Sequence, residues 1–298
     1  MKKVAVLMGG ISNEREISLK SGKAVTDALS SGGYDVVPVI LNEESVASLP
    51  TGIDAVFIAL HGGYGENGGV QADLNAIGVP YTGPGARASC IAMDKIATKQ
   101  VLAKNGIPTA PWEVLRVGDD LRELELPVVV KPPREGSSVG ISKVVEISEF
   151  AAALEAACSA DLLGEALVER YIPGREWTVG VLGGLTLPAV EILAPGGWYG
   201  FTEKYTQGVT GFEFPDPQQE GDLVDKIQRL ALSAYEALDC RGGCRVDFRV
   251  TPDGMPSVLE LNTIPGMTST SLLPRAAARA GINFVELCSK LVELAACD

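Results

Sequence analysis

The chain has 298 residues, a hydrophobic fraction of 46% and a net charge of −13, from 25 Lys plus Arg against 38 Asp plus Glu. That length allows two or three domains with buried cores, and the acidic balance weighs against a general nucleic-acid binder. No apolar run approaches membrane-spanning length, and the six cysteines form no CxxC pair, so they read as reduced thiols of a cytoplasmic protein.

The opening MKKVAVLMGG predicts a buried strand over residues 3–8, a turn at Gly9-Gly10 and a helix starting near Glu14 or Arg15. Ile17, Ala24 and Ala28 supply that helix with an apolar stripe. The turn lacks GxGxxG, and Ser21-Gly22-Lys23-Ala24 lacks the spacing and hydroxyl of a P-loop. Further strands are predicted over 34–41 and 55–60, the second running into HGGYGENGGVQ at 61–71. Gly63, Gly65 and Gly68 match the dinucleotide fingerprint, but no acidic residue follows near Tyr81 to receive a ribose, so that reading is rejected. His61 is the one histidine. It lies on a glycine loop at a strand's C-terminal end, where α/β proteins bind ligands.

Gly83-Pro84-Gly85 reads as a linker, and MDKIATK at 93–99 lies on the helix after it, which ends at Asn105 to Pro108. PVVVKP ends a strand on Lys131, followed by the Gly/Ser loop from Arg134 to Gly140. A lysine beneath such a loop suits the holding and covering of triphosphate oxygens. Strands over 167–171 and 176–181 flank Pro173-Gly174, and their spacing lets Glu169 and Glu176 face an adenosine from a cleft wall.

The densest chemistry lies between Cys244 and Leu272, where two apolar runs flank a turn at Pro252, Asp253 and Gly254. This is a β-hairpin pattern. Side chains alternate along a strand, so Arg245 and Asp247 share one face, as do Glu260 and Asn262 on the partner. Oxygen-only ligands of this kind suit Mg²⁺ with substrate phosphates. The adjacent guanidinium suits charge that develops on a phosphoryl or tetrahedral group. TIPGMTSTS then leads into a helix start at Ser271-Leu272, a place that binds carboxylates and phosphates.

With MDK, VVKPPREGSSVGISKV, VERYIPGREWTV, GCRVDF and LELNTIPGMTSTSL in order, the chain resembles the ATP-grasp ligases, and specifically the D-alanine–D-alanine ligase family of bacterial cell-wall synthesis. MGGISNEREISLKSG and HGGYGENGGVQ extend the resemblance over nearly the whole length; Asn67 departs from the Asp usual in that loop. The resemblance implies a mixed α/β ATP-grasp fold of three domains, 1–84, 85–172 and 173–298, with the active site between them. It implies ligation of two D-alanines through an acylphosphate, for peptidoglycan precursors. Lys95, Lys131, Ser138 and Lys204 would contact ATP, with Ser137 to Gly140 folding over its phosphates. Glu169, Tyr171, Ile172 and Glu176 would line the adenine and ribose pocket. Asp247, Glu260 and Asn262 would hold two Mg²⁺ ions, which Mn²⁺ can replace, and Arg245 with the Gly266 N–H would form the oxyanion site. Glu14 would position the first D-alanine with His61 near its carboxylate, and Ser271 and Leu272 would hold the carboxylate of the second. Glu14, Ser137 and Tyr205 would form a triad tying the domains together, Tyr205 lying in a lid at 196–208. Partners would be D-alanine and ATP, without nucleic acid or membrane, and a homodimer is the assembly the family suggests. A ligase using D-lactate or D-serine, and a nucleotide-binding regulator without catalysis, are the competing readings. The second is weakened by the presence of Asp247, Glu260, Asn262 and Arg245 together.

Overall fold

Val4 to Met8 are buried at every position, the pattern of a parallel strand covered on both faces. In the computed structural model, which describes residues 1–121, 123–136, 140–195 and 210–298, this run is β1 (Lys3–Gly9). Helix α1 (Arg15–Ser31) crosses to β2 (Asp35–Leu41), and β3 (Ala55–Ile58) completes a parallel sheet ordered β2-β1-β3. Parallel neighbours need such a crossover. The helix lies so near β1 that a Cβ on Gly22 would stand 2.5 Å from the Met8 Cβ. A glycine there gives up helix propensity for close approach. The predicted strand over 55–60 stops at Ile58, although the Ala59 N–H still bonds Leu7 O at 2.9 Å.

A 3₁₀ turn at Gly63–Gly65 and helix α2 (Gly69–Ala76) follow, then α3 (Ala86–Met93) and α4 (Lys95–Lys104). A small antiparallel sheet is built from β4 (Trp112–Leu115), β5 (Val128–Lys131), β6 (Ser142–Val144) and β7 (Ala166–Arg170), ordered β4-β7-β5-β6 and backed by α5 (Ile147–Ala160). The third and largest sheet runs β11-β10-β8-β12-β13, with β9 beside β8. Its strands are β8 (Arg175–Leu182), β9 (Leu185–Thr186), β10 (Val190–Leu193), β11 (Gly211–Glu213), β12 (Gly243–Val250) and β13 (Pro256–Asn262). Helices α6 (Pro217–Glu220) and α7 (Leu223–Ala237) precede β12, and α8 (Leu272–Arg279) and α9 (Phe284–Glu293) follow β13.

Packing ignores chain order. Leu102 and Ile107, at and after the end of α4, share a core with Trp177, Ile227, Phe248 and Val258 of the third sheet and α7. Leu273 of α8 and Leu287 and Leu291 of α9 share a core with Val4, Val6 and Phe57 of the first. The C-terminal end closes the joint. Tyr81 and Ala296 exchange backbone hydrogen bonds at 3.2 Å, and the Asp298 carboxylate accepts from Ala86 N at 2.8 Å and Asn75 Nδ2 at 3.0 Å while pairing with Arg241. Asp298 thus caps α3 from a distance, since orphan N–H groups at a helix start accept a carboxylate.

Burial alone would push the Asp298 carboxyl up, but Arg241, the Ala86 N–H and Asn75 hold it below its ordinary value. A carboxyl depressed in the folded state contributes stability above its unfolded pKa and loses it as pH falls through the folded value. The clasp is partly solvated, so Asp298→Ala should cost about 1 kcal/mol, a fall of roughly 2–4 °C in the thermal midpoint at pH 7. The gap between wild type and variant should close in strong acid. An unchanged midpoint at pH 7 would show that the clasp adds nothing.

Candidate active site

Strands β12 and β13 pair so that Asp247 stands opposite Glu260 and Arg245 opposite Asn262. Simple alternation would put Val258 on the same face as Glu260. The register shifts between Asp247 and Phe248, however, and Phe248 pairs with Val258, leaving Leu259 as an extra residue. A bulge of this kind re-aims the side chains beyond it. Val258 therefore faces the core, fully buried, while Glu260 and Asn262 share the face of Asp247 and Arg245. Arg245 clamps Asp247 with Nε at 2.9 Å and a second nitrogen at 2.8 Å. Thr178 of β8 donates to Asp247 Oδ1 at 2.5 Å. The donor set is carboxylate and carboxamide oxygen without sulfur or imidazole, and two carboxylates meet at paired positions on one sheet face. That set fits Mg²⁺ held jointly with phosphate.

Helix α4 overlooks this face. Lys95 Nζ donates to Glu135 O at 2.7 Å and lies 3.9 Å from Glu260 Oε2, joining the start of the Gly/Ser loop to the hairpin. One turn on, Lys99 reaches the small sheet, where its Nζ lies 2.5 Å from Glu169 Oε1. Glu169 sits opposite Val129 in the β5–β7 register, so Lys131 is two positions along on the same face and pairs with the other Glu169 oxygen. All three are buried. Burial would push the Glu169 carboxyl up, yet Lys131 and Lys99 together hold it down. Beyond β7, the Lys143 ammonium stands 3.7 Å from the Tyr171 ring centroid, Ile172 O accepts from Arg249 Nε at 3.1 Å, and Glu176 pairs with Arg249 at 3.3 Å. Glu169, Tyr171, Ile172 and Glu176 are thus each held by a cation, Glu169 by Lys99 and Lys131, Tyr171 by Lys143, and Ile172 and Glu176 by Arg249.

On the opposite side, Glu14 stands at the start of α1. Its Oε2 lies 2.8 Å from where a Cβ on Gly62 would stand and 3.9 Å from where one on Gly136 would, so it sits between the first glycine loop and the Gly/Ser loop. His61 is buried, with Nε2 3.1 Å from Ser21 Oγ and Nδ1 3.6 Å from Glu66. Ser21 Oγ also accepts from Met267 N at 3.3 Å. His61 is thereby linked to the loop that carries Gly266. Ser271 occupies the N-cap position of α8 without a side-chain capping bond, and its Oγ lies 2.8 Å from Thr268 Oγ1 and 2.8 Å from the place a Cβ on Gly266 would occupy. Any larger residue at 266 would displace Ser271. Leu272 is the first residue of α8. Ser137, Ser138, Lys204 and Tyr205 lie outside the described residues.

Two family descriptions match this chain: D-ala D-ala ligase N-terminus over residues 3–48 and D-ala D-ala ligase C-terminus over 101–293. The D-alanine–D-alanine ligase of Syntrophotalea carbinolica is 47% identical over 294 residues, covering 98% of this chain and 95% of that protein. The chain belongs to the D-alanine–D-alanine ligase family. The fold agrees: the Bacillus anthracis D-alanine–D-alanine ligase solved in complex with ATP superposes with a TM-score of 0.86 at 35% identity, covering 99% of this chain and 97% of that one. The VanG D-Ala:D-Ser ligase of Enterococcus faecalis gives 0.85 at 29% identity, covering 98% and 99%. These ligases have the ATP-grasp fold, as the motifs of this family member led one to expect.

Three residues of the site escape a reading of the sequence. Lys99 is 1% exposed; its only local signal is a second lysine one helical turn after Lys95. Thr178 carries a signal in strand alternation, two positions after Glu176. Arg249 carries the same kind of signal, two positions after Asp247 on the strand, and it braces Ile172, Gly174 and Glu176.

Proposed function

We propose that this chain joins two D-alanines into D-alanyl-D-alanine with ATP, in keeping with its curated relatives' name, D-alanine–D-alanine ligase, and with the related ligase solved in complex with ATP. The observation that carries this reading is the position of Lys95, which bonds the Gly/Ser loop backbone at Glu135 and faces Glu260 of the hairpin. A single cation is thus shared between the segment suited to cover phosphates and the residues suited to hold their metal.

In this reading the carboxylate of the first D-alanine, held by Glu14 and the His61 loop, attacks the γ-phosphorus of ATP. The bond to ADP breaks and an acylphosphate forms. The second D-alanine, its carboxylate at Ser271 and the start of α8, loses a proton and attacks the acyl carbon through its amine. The tetrahedral oxyanion is received by Arg245 and the Gly266 N–H, and phosphate leaves. Lys95, Lys131, Ser138 and Lys204 take the phosphate charge, and Glu169, Tyr171, Ile172 and Glu176 take the nucleoside. Two Mg²⁺ ions, replaceable by Mn²⁺, would be held by Asp247, Glu260 and Asn262 and would supply positive charge to the phosphate oxygens. Glu14, Ser137 and Tyr205 would link the three domains, bounded at 1–84, 85–172 and 173–298. The three separate sheets support a division into three units, with α3 and α4 lending side chains to the third. Homodimeric assembly belongs to the same family-based reading. So does a cytoplasmic location, with which six free cysteines agree. Among the described residues no helix is long and apolar enough to cross a membrane.

Phosphate release from ATP should depend on D-alanine and fail with L-alanine, and D-lactate and D-serine offered as acceptors should be poorer than a second D-alanine. Absence of D-alanine-dependent release would refute the reading. Glu260→Gln keeps the shape but removes a ligand charge, and turnover should fall at least about 100-fold, roughly 2.7 kcal/mol, with the fold intact. Near-normal turnover in saturating Mg²⁺ would remove Glu260 from the metal site. Lys131→Met should weaken ATP binding and slow phosphoryl transfer, and unchanged calorimetric affinity together with unchanged turnover would return Lys131 to a structural role.

A further inference from the structure

Lys99 is a buried lysine to which the reaction gives no task. It comes from the second turn of α4, whose N-cap Asp94 accepts from Ile96 N at 2.9 Å and Ala97 N at 3.1 Å. Its ammonium has four neighbours. It lies 2.5 Å from Glu169 Oε1, donates to Thr109 Oγ1 at 2.7 Å and Ala110 O at 2.9 Å, and stands 5.3 Å from the Trp112 ring centroid. Thr109 in turn donates to Val258 O at 2.8 Å, on the metal-site strand β13. The ammonium is therefore fully coordinated and cannot swing out to a substrate.

Lys131 differs. It pairs with the same carboxylate, but it ends β5 directly before the Gly/Ser loop. An arriving triphosphate would compete for Lys131, and Glu169 would then be left with Lys99 alone. A carboxylate buried to this degree and stripped of cations takes up a proton. The two protonation states read a purine in opposite ways. An ionised Glu169 only accepts, which matches the exocyclic amine of a 6-aminopurine and repels the carbonyl of a 6-oxopurine. A protonated Glu169 could donate to that carbonyl.

We propose that Lys99 is a positioning residue that keeps Glu169 an acceptor when Lys131 is drawn to phosphate, and so makes the pocket select a 6-aminopurine triphosphate over a 6-oxopurine one. The inference rests on the reading that Glu169 faces the base. Lys99 and Lys131 are the two charged groups that act on Glu169, and Lys99 is the one whose surroundings hold it in place.

The test compares ATP with inosine triphosphate, which differs at the purine 6-position and the adjoining ring nitrogen, by kcat/KM for D-alanine-dependent phosphate release and by calorimetric affinity. Lys99→Gln, which keeps a hydrogen bond but removes the charge, should lower the ATP preference about tenfold, chiefly through the KM for ATP. Lys99→Arg, which keeps the charge, should retain most of the preference. Should Lys99→Gln fail to fold, the chain carrying Lys99→Met with Glu169→Gln removes both buried charges, and its preference should equal that of Glu169→Gln alone. Lost thermal stability with an unchanged ATP preference in Lys99→Gln would overturn the proposal, as would a double variant that departs from Glu169→Gln. If Glu169→Gln itself leaves the preference unchanged, the assignment of Glu169 to the base falls, a separate failure.

Discussion

A carboxylate can remain ionised inside a protein only if a cation or several donors accompany it. This requirement shapes the cleft. Glu169 has Lys99 and Lys131, Asp247 has Arg245 and the Thr178 hydroxyl, Glu176 has Arg249, and Glu260 faces Lys95. For Glu169 the two lysines keep a charge where burial alone would work against it. In the proposed reaction several of these partners are also groups that phosphate or an oxyanion would claim. Nucleotide and metal would then exchange one set of ion partners for another, without leaving a buried charge alone.

Helix α4 is the element that makes this geometry common to two sheets. Lys95 and Lys99 are one turn apart, so they leave the same helix face. One reaches the hairpin of the third sheet and the other reaches β7 of the small sheet. The start of the helix is held through Asp94, which accepts from Arg134 Nε at 2.9 Å, and Arg134 also pairs with Asp161 at 2.9 Å and Glu165 at 3.0 Å after α5. Its far end is buried against α7 and β13 through Leu102. A rotation of the small sheet against the third would therefore strain the Lys95 and Lys99 contacts together.

Much of this was legible in the chain, and the reasons are local. The continuous apolar run at Val4 to Met8 marks a doubly covered strand, and the two-residue alternation at Arg245, Asp247, Glu260 and Asn262 brings four polar groups to one face. What stayed hidden depends on contacts between distant residues. The extra residue at Leu259 breaks alternation, and nothing in PSVLELN reveals it until β12 sets the register. Lys99 looks like any helical lysine until Glu169, 70 positions on, faces it. The clasp of Asp298 has no local signal, because its partners Asn75, Ala86 and Arg241 are far away in sequence. Glu14 and Gly266 acquired roles through family motifs, since a charge at a helix start and a glycine carry little chemistry by themselves, whereas the helix start at Ser271 marked an anion site from its own residues.

The loop from Thr263 to Ser271 shows how much can be fixed before any substrate arrives. Met267 N is held by Ser21, which also meets His61, while the Ser12 hydroxyl donates to His61 O at 2.5 Å. Thr268 N donates to Ser271 Oγ at 3.1 Å, and Ile264 N donates to Asn262 Oδ1 at 3.0 Å. The segment between the hairpin and α8 is thus tied at both ends and in the middle. Gly266 lies inside that frame, where only a residue without a Cβ leaves Ser271 in place. Donors that are already oriented stabilise developing charge without reorganising when the charge appears. A frame anchored to α1, the His61 loop and the hairpin together would lose that benefit if any one of the three shifted, so a site for transient negative charge here depends on all the parts of the chain that meet at this loop.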